Sequence, residues 1–418
     1  MATRSQRVRD EKPIEYTLLV VGVACLLAAG MVMVFSASSA RSLLEGNGPV
    51  FEFLVRYVVF GSIGIFALLM VMRHPLENIM RLTGPFLVAA FVLTAMVRLP
   101  GLGVEVNGAR RWLGAGPLTF QPSELMKVAL VLYCARVLAE RPQMIQDWRE
   151  LKPLGLVAGG GIALVALQPD LGTALVCSFA VIAMLVVAGI PMRWLGLLMG
   201  GGSVLVLTYA STAAYRMERL TTFLDPWKHS ADGGFQVVQG LIAVGSGGLV
   251  GRGLGESQQK NMFLPEAHTD FILAVIGEEL GAIGIIGLLA LYGIVAYAGL
   301  RIARNARSPY EQLLVAGVVA LYIGQAMLNV CTVLGLAPLT GVPLPFISYG
   351  GTTLITMLAG VGLIFNVERR NRAHAGRALT PLDARGSRAD AAADVRDRDR
   401  RDRRARSAVA GDRRRAAS

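Results

Sequence analysis

Pro265-Glu266-Ala267-His268-Thr269-Asp270-Phe271 runs without a break into the apolar stretch 271–299. Two carboxylates four residues apart thus stand at the mouth of a segment long enough to cross a bilayer, for which about 20 apolar residues suffice. In an aqueous loop Glu266 and Asp270 would be ordinary. At the edge of hydrocarbon, ionisable groups are costly and are kept where they have a task.

The rest of the chain agrees with a membrane setting. Its 418 residues are 54% hydrophobic and 17% charged, against about 25% charged in a typical soluble protein. The mean hydropathy is +0.52. Forty-eight glycines suit helices that approach closely in lipid. Composition therefore excludes a string of soluble domains and predicts an all-α polytopic membrane protein.

Ten apolar stretches set the expected spans: 17–37, 53–72, 83–99, 121–139, 153–168, 171–190, 194–213, 271–299, 310–334 and 352–367. The fifth and sixth are separated by Pro169-Asp170, as two spans with a tight turn or as one bent unit. Arg and Lys concentrate in the N-terminal segment and in the loops on its side, at Arg73, Arg81, Arg141, Arg149, Lys152, Arg193, Arg301, Arg304 and Arg307. The positive-inside rule then places both termini in the cytoplasm. A large extracytoplasmic loop, 214–270, joins the seventh and eighth spans. The organisation expected is a cytoplasmic N-terminus (1–16), a ten-helix membrane domain (17–367) and a cytoplasmic tail (368–418).

That tail holds 16 Arg against 8 acidic residues, without periodicity. It lacks the apolar surface to offset the entropy of ordering, so it is expected to be disordered and solvated, near anionic membrane lipid and without a nucleic-acid role. The four cysteines, Cys25, Cys134, Cys177 and Cys331, lie in apolar segments without metal-ligand spacing and read as packing residues. No metal or cofactor is required by the residues, although a divalent cation could share in neutralising an anionic substrate.

Polar clusters gather at the outward boundary. Arg110, Arg111 and Trp112 suit an anionic head group at the interface, or simple anchoring by the indole. Glu124 and Lys127, one turn apart behind Pro122, share a face of an apolar helix and either line a polar cavity or form a structural ion pair. Asp170 reads as the N-cap of the helix that follows. Arg216 and Arg219 share a helix face if the seventh span continues outward. The glycines between 233 and 255 suggest a bent, membrane-hugging segment, since no strand or Walker lysine supports phosphate binding there. Glu278-Glu279, deeper in the eighth span, offers one carboxylate for helix packing or a cavity wall.

Taken in order, these motifs resemble the SEDS family of shape, elongation, division and sporulation proteins. The matching residues are Asn107–Trp112, Gln121–Lys127, Gln168–Thr173, Phe223–Trp227, Gly245–Gly248, Leu264–Ile272, Gly277–Gly281 and Pro345–Gly351. The likeness spans roughly residues 15 to 370. Phe223–Trp227, Gly234-Phe235-Gln236 and Ala267 are similar to the division branch; Thr340–Pro345 is nearer the elongation branch, and Thr352-Thr353 stands where two small hydroxyl residues, usually serines, follow the double glycine.

The resemblance implies a ten-span glycosyltransferase that polymerises lipid II into peptidoglycan on the outer face of the bacterial inner membrane. A class B penicillin-binding transpeptidase and other divisome membrane proteins would be its partners, and the division septum its location. By motif position, Asp270 is implied as the catalytic residue, with Glu124, Lys127, Trp112, Glu266 and His268 around the substrate cavity. Arg110, Arg111, Arg216, Arg219 or Lys260 could stabilise the departing diphosphate. The same features leave room for a lipid II flippase, whose path would also carry charge, and for a non-catalytic scaffold docking through the glycine-rich eighth span.

Overall fold

Within hydrocarbon every backbone N–H and C=O must find its partner inside the protein, which makes a helix the default for each apolar stretch. The computed structural model describes residues 13–45, 51–106, 109–115, 118–211, 217, 222–231, 233–261 and 263–373. Residues 13–368 form one unit, and residues 1–12 with 369–418 a second, of which 369–373 alone are described.

The chain runs as α1 (Ile14–Glu45), α2 (Glu52–Arg73), α3 (Leu76–Met96), β1 (Gly103–Val106), β2 (Ala109–Ala115), β3 (Leu118–Phe120), α4 (Pro122–Glu140), α5 (Trp148–Ala166), α6 (Leu171–Ala188), α7 (Met192–Ser211), α8 (Phe235–Gly247), α9 (Ile272–Arg304), α10 (Pro309–Val333) and α11 (Gly351–Ala373). Among the described residues a long helix therefore lies over most of each of the ten apolar stretches, with α3 starting seven residues early and ending at Met96. Seven helices among the described residues, namely α1, α2, α3, α6, α9, α10 and α11, are long and apolar enough to cross a membrane. Charged residues set α4 (Glu124, Lys127, Arg136, Glu140) and α5 (Arg149, Glu150, Lys152) apart from these. The fifth and sixth stretches are two helices joined by a tight turn, not one bent unit.

Local chemistry explains the helix starts. Pro122 occupies the first turn of α4, where no N–H is needed. Asp170 caps α6 by accepting from the Thr173 amide at 3.2 Å, as its position before an apolar run predicts. Asp147 and Ser308 cap α5 and α10 in the same way.

Helices α10 and α11 are central, with 78% and 83% of their most apolar windows buried, whereas α2 has 11%. Around them α1 packs on α9, α6 and α4 on α10, and α3 on α4. Gly317 brings α10 close to its neighbours: a Cβ there would lie 2.6 Å from Met184 Sδ and 2.7 Å from Val131 Cγ1.

Two features depart from the all-helical expectation. Strands β1, β2 and β3 form a three-stranded antiparallel sheet in that order. Val104 pairs Trp112 while Glu105 pairs Arg110, so Arg111 is the extra residue of a bulge. The eighth span is also broken. Gly281 takes φ 68° and ψ −166° inside α9, and the chain after α8 fills the gap. Arg252 and Gly253 donate to the carbonyls of Glu278 and Glu279, each at 3.0 Å, while Ala282 and Ile283 donate to Gly248 and Leu249 at 2.9 and 3.1 Å. A helix interruption is tolerated in a membrane protein when its freed groups are satisfied in this way.

The break makes a testable demand. A Cβ on Gly281 would meet Gly251 N at 2.4 Å in a backbone conformation that side chains rarely adopt. Gly281→Ala is predicted to destabilise the protein by at least ~2 kcal/mol, read as a lower melting temperature in detergent. Gly287→Ala, in the same helix with open space around it, should leave the melting temperature nearly unchanged.

Candidate active site

The charged pair of α4 is buried. Lys127 Nζ lies 2.8 Å from Glu124 Oε2, with both side chains at most 3% exposed. Thr356 on α11 donates to Glu124 at 3.1 Å, and Lys127 donates to Gln325 Oε1 on α10 at 2.7 Å. Neither ion is without a hydrogen-bond partner, which is what allows the pair to persist away from water.

Gln325 continues the network, donating through Nε2 to the Pro343 carbonyl at 2.8 Å. One turn further along α10, Asn329 Nδ2 donates to the carbonyls of Val342 and Asp270, each at 2.7 Å. Asp270 precedes the first residue of α9 and is half-buried, its carboxylate beside Gly341. Segment 341–343 is therefore held between the Glu124–Lys127 pair on one side and Asp270 on the other.

The spacing of Glu266 and Asp270 is resolved by a turn, since α9 starts at Ile272 and both carboxylates precede it. Thr269 Oγ1 lies 2.9 Å from Glu266 Oε2 and 3.2 Å from Asp270 Oδ1, so one hydroxyl bridges them. Glu266 itself sits at φ 52°, an uncommon conformation for a glutamate that turns the chain toward the helix. His268 is buried, its ring 4.5 Å from that of Phe53 and 6.0 Å from that of Tyr349, and its carbonyl accepts from the Tyr349 amide.

The other sequence candidates are placed differently. Trp112 is partly buried on β2 opposite Val104. Arg110 pairs with Glu105 at 3.1 Å on the exposed edge of the sheet. Arg111, freed by the bulge, donates to the Pro169 carbonyl at the α5–α6 turn. Beside it, Gln121 and Ser123 both donate to Asp170 Oδ2, at 3.1 and 3.2 Å. Lys260 is 7% exposed, and its ammonium donates to Glu279 at 2.9 Å, Ser36 at 3.2 Å and the Gly255 carbonyl at 2.6 Å. All three of its protons are engaged inside the protein, so Lys260 anchors the 255–260 segment and is not presented to a diphosphate. Glu278 does similar work, accepting from Ser257 and from the amides of Gln258 and Gln259. Arg216 and Arg219 lie outside the described residues. In the 222–231 segment the Asp225 carboxylate, hydrogen-bonded by Lys228, is held below the usual carboxylate range.

Gln325, Asn329 and Thr356 were not singled out by the motifs. Their signal was present: Gln325 and Asn329 are polar, four apart, and lie on one face of an otherwise apolar span, the pattern that marks a functional side of a membrane helix.

A buried charge pair and a half-buried aspartate, linked through Gln325, Asn329 and an irregular segment of a helical membrane bundle, define a polytopic protein with a buried polar site. The family described as "Cell cycle protein", FtsW/RodA/SpoVE, matches residues 16–373, and the chain belongs to it. It is 39% identical over 361 residues to Stage V sporulation protein E of Bacillus subtilis, covering 85% of this chain and 97% of the relative. It is 38% identical to a probable peptidoglycan glycosyltransferase FtsW of a Geobacter species, covering 85% and 98%. Among solved structures it is similar to one described as "Structural coordination of polymerization and crosslinking by a peptidoglycan synthase complex", with TM-score 0.71, 31% identity, and 84% and 97% of the two chains covered. It is also similar to the rod shape determining protein RodA of Thermus thermophilus, with TM-score 0.62, 32% identity, and coverage of 84% and 95%.

Breaking one partner of a buried pair leaves the other uncompensated, at a cost of about 3–5 kcal/mol. Glu124→Gln and Lys127→Met are each predicted to lower the melting temperature markedly in detergent. The double variant should lose less than the sum of the two, as a double-mutant cycle would measure.

Proposed function

We propose that this chain is a peptidoglycan glycosyltransferase of the division type, polymerising lipid II at the outer face of the bacterial inner membrane. The observation that carries the reading is the placement of Asp270: half-buried, joined to Glu266 through Thr269, and held beside the segment that Lys127 reaches through Gln325. A named FtsW relative at 38% identity over most of the chain supports the activity. Phe223–Trp227, Gly234-Phe235-Gln236 and Ala267 support the division branch over a RodA-type elongation role.

In the proposed step the acceptor sugar hydroxyl attacks the anomeric carbon of the donor from the face opposite its undecaprenyl diphosphate. A new C–O glycosidic bond forms, the C–O bond to diphosphate breaks, and configuration inverts. The Asp270 carboxylate takes the hydroxyl proton, which requires it within hydrogen-bond reach of the oxygen. The diphosphate leaves with the bonding pair, and cations at the outer rim offset its charge. Arg110, exposed on the sheet, is a candidate among the described residues; Arg111 is a second, through the guanidinium atoms not bound to the turn. Arg216 and Arg219 remain candidates by sequence. Lys127, buried against Glu124, acts on the site through Gln325 and the segment at Pro343. A divalent cation could assist at the diphosphate, and no step above is routed through one.

Both termini in the cytoplasm, ten crossings, location at the septum, and partnership with a class B penicillin-binding transpeptidase and other divisome membrane proteins belong to the same proposal. The solved peptidoglycan synthase complex similar to this chain supports the partnership.

Purified Asp270→Asn supplied with lipid II is expected to lose polymerisation by at least about 10²-fold. Glycan formation at the wild-type rate would remove Asp270 as the base. Lipid II crossing reconstituted vesicles without any polymer, in the wild type as in the variant, would favour a flippase instead.

A further inference from the structure

Helix α10 presents two amides four residues apart to a stretch of chain that is neither helix nor strand. Gln325 and Asn329 are 0% and 1% exposed. Gln325 accepts from Lys127 and donates to Pro343, while Asn329 uses one nitrogen for two carbonyls, those of Val342 and Asp270. The two side chains thus touch the Lys127 ammonium, the main chain of Asp270 and the backbone between them. The i, i+4 spacing on a rigid helix sets the separation of those contacts.

The chemistry of Asn329 is specific. Two carbonyl oxygens converge on its Nδ2, so only a group with two donors on one atom serves both. Its Oδ1 is buried with no partner among the described residues. Leaving an acceptor unpaired is costly, and the amide nevertheless sits with its nitrogen on the Asp270 and Val342 carbonyls. A residue chosen for packing alone at a 1% exposed site would be apolar. Gln325 is likewise bifunctional: its oxygen receives a cation and its nitrogen holds a carbonyl, which neither glutamate nor methionine can reproduce.

We infer that Gln325 and Asn329 are positioning residues: together they set where the Asp270 carboxylate and the Lys127 ammonium stand relative to a bound sugar. Asn329 acts through the Asp270 main chain and Gln325 through Lys127 and Pro343. This inference rests on the reading of Asp270 as the base. Displacing a reacting group by about 1 Å can cost on the order of 10²-fold in rate without loosening substrate binding.

The test uses the full-length protein in detergent with lipid II, and reports kcat and KM per folded molecule after size-exclusion chromatography. Asn329→Asp keeps the size of the side chain and removes the paired N–H donors; kcat should fall on the order of 10²-fold with KM little changed. Asn329→Ser, smaller and with one donor, is the second variant should the first fail to fold, and should lie between it and the wild type. Gln325→Glu retains an acceptor for Lys127 and should keep more activity than Gln325→Met. Wild-type kcat in folded Asn329→Asp or Asn329→Ser would overturn the inference, as would a rise in KM that accounts for the whole loss. So would equal activities of the two Gln325 variants. Asp270→Asn run in parallel separates the two ideas: if it is inactive while Asn329→Asp is fully active, the positioning role fails alone; if it is fully active, the base assignment fails first.

Discussion

Irregular backbone buried inside a membrane protein must find its hydrogen-bond partners within the protein, and most of segment 342–346 is such a backbone. Pro343 and Pro345 bring no N–H, and a helix here would lack their ladder bonds. The carbonyls must still be paired. Asn329 takes Val342, Gln325 takes Pro343, Tyr292 takes Pro345 and Tyr57 takes Phe346, so side chains of α10, α9 and α2 converge on four of the five carbonyls from Val342 to Phe346. Phe346, fully buried at φ 63°, keeps a conformation costly for a bulky residue because its neighbours fix it. Each donor side chain is thereby committed to one position, and the helices that carry them are locked in register around the segment.

The site inherits its geometry from that constraint. Asn329 satisfies the Asp270 carbonyl with the same nitrogen that holds Val342. Gln325 reaches Lys127 with one end and Pro343 with the other. A second irregular element braces the other flank: α9 breaks at Gly281, and the 248–253 segment fills the break. Lys260–Glu279 and the Glu278 carboxylate then tie the 252–260 chain down, ahead of the turn that carries Glu266 and Asp270. Two non-helical insertions, tied down by these hydrogen bonds, flank the turn that carries the carboxylates.

Much of this was legible in the residues. Apolar length located the long helices among the described residues, Pro122 and Asp170 marked helix starts, and Glu124 with Lys127 announced a pair on one face. What was not legible depends on contacts distant in sequence. The β-sheet of 103–120 has strands of three to seven residues, too short for alternation to declare. The break at Gly281 looks like one more glycine in a glycine-rich span until the chain near Gly251 is brought against it. Lys260 reads as a free cation in an outer loop; only the fold reveals Glu279, 19 residues away, as its partner. The cluster of motifs was enough to indicate the family, and the geometry between the motifs was not.

The account depends on Asp270 facing the outer side of the membrane from within a pocket. The most direct measurement is thiol labelling of Asp270→Cys in a background without the four native cysteines, using a membrane-impermeant maleimide on intact spheroplasts and on inside-out vesicles. Labelling from the outer side, slowed by lipid II, is the predicted result. Labelling solely from the cytoplasmic side would contradict the assignment of Asp270 to the polymerising site.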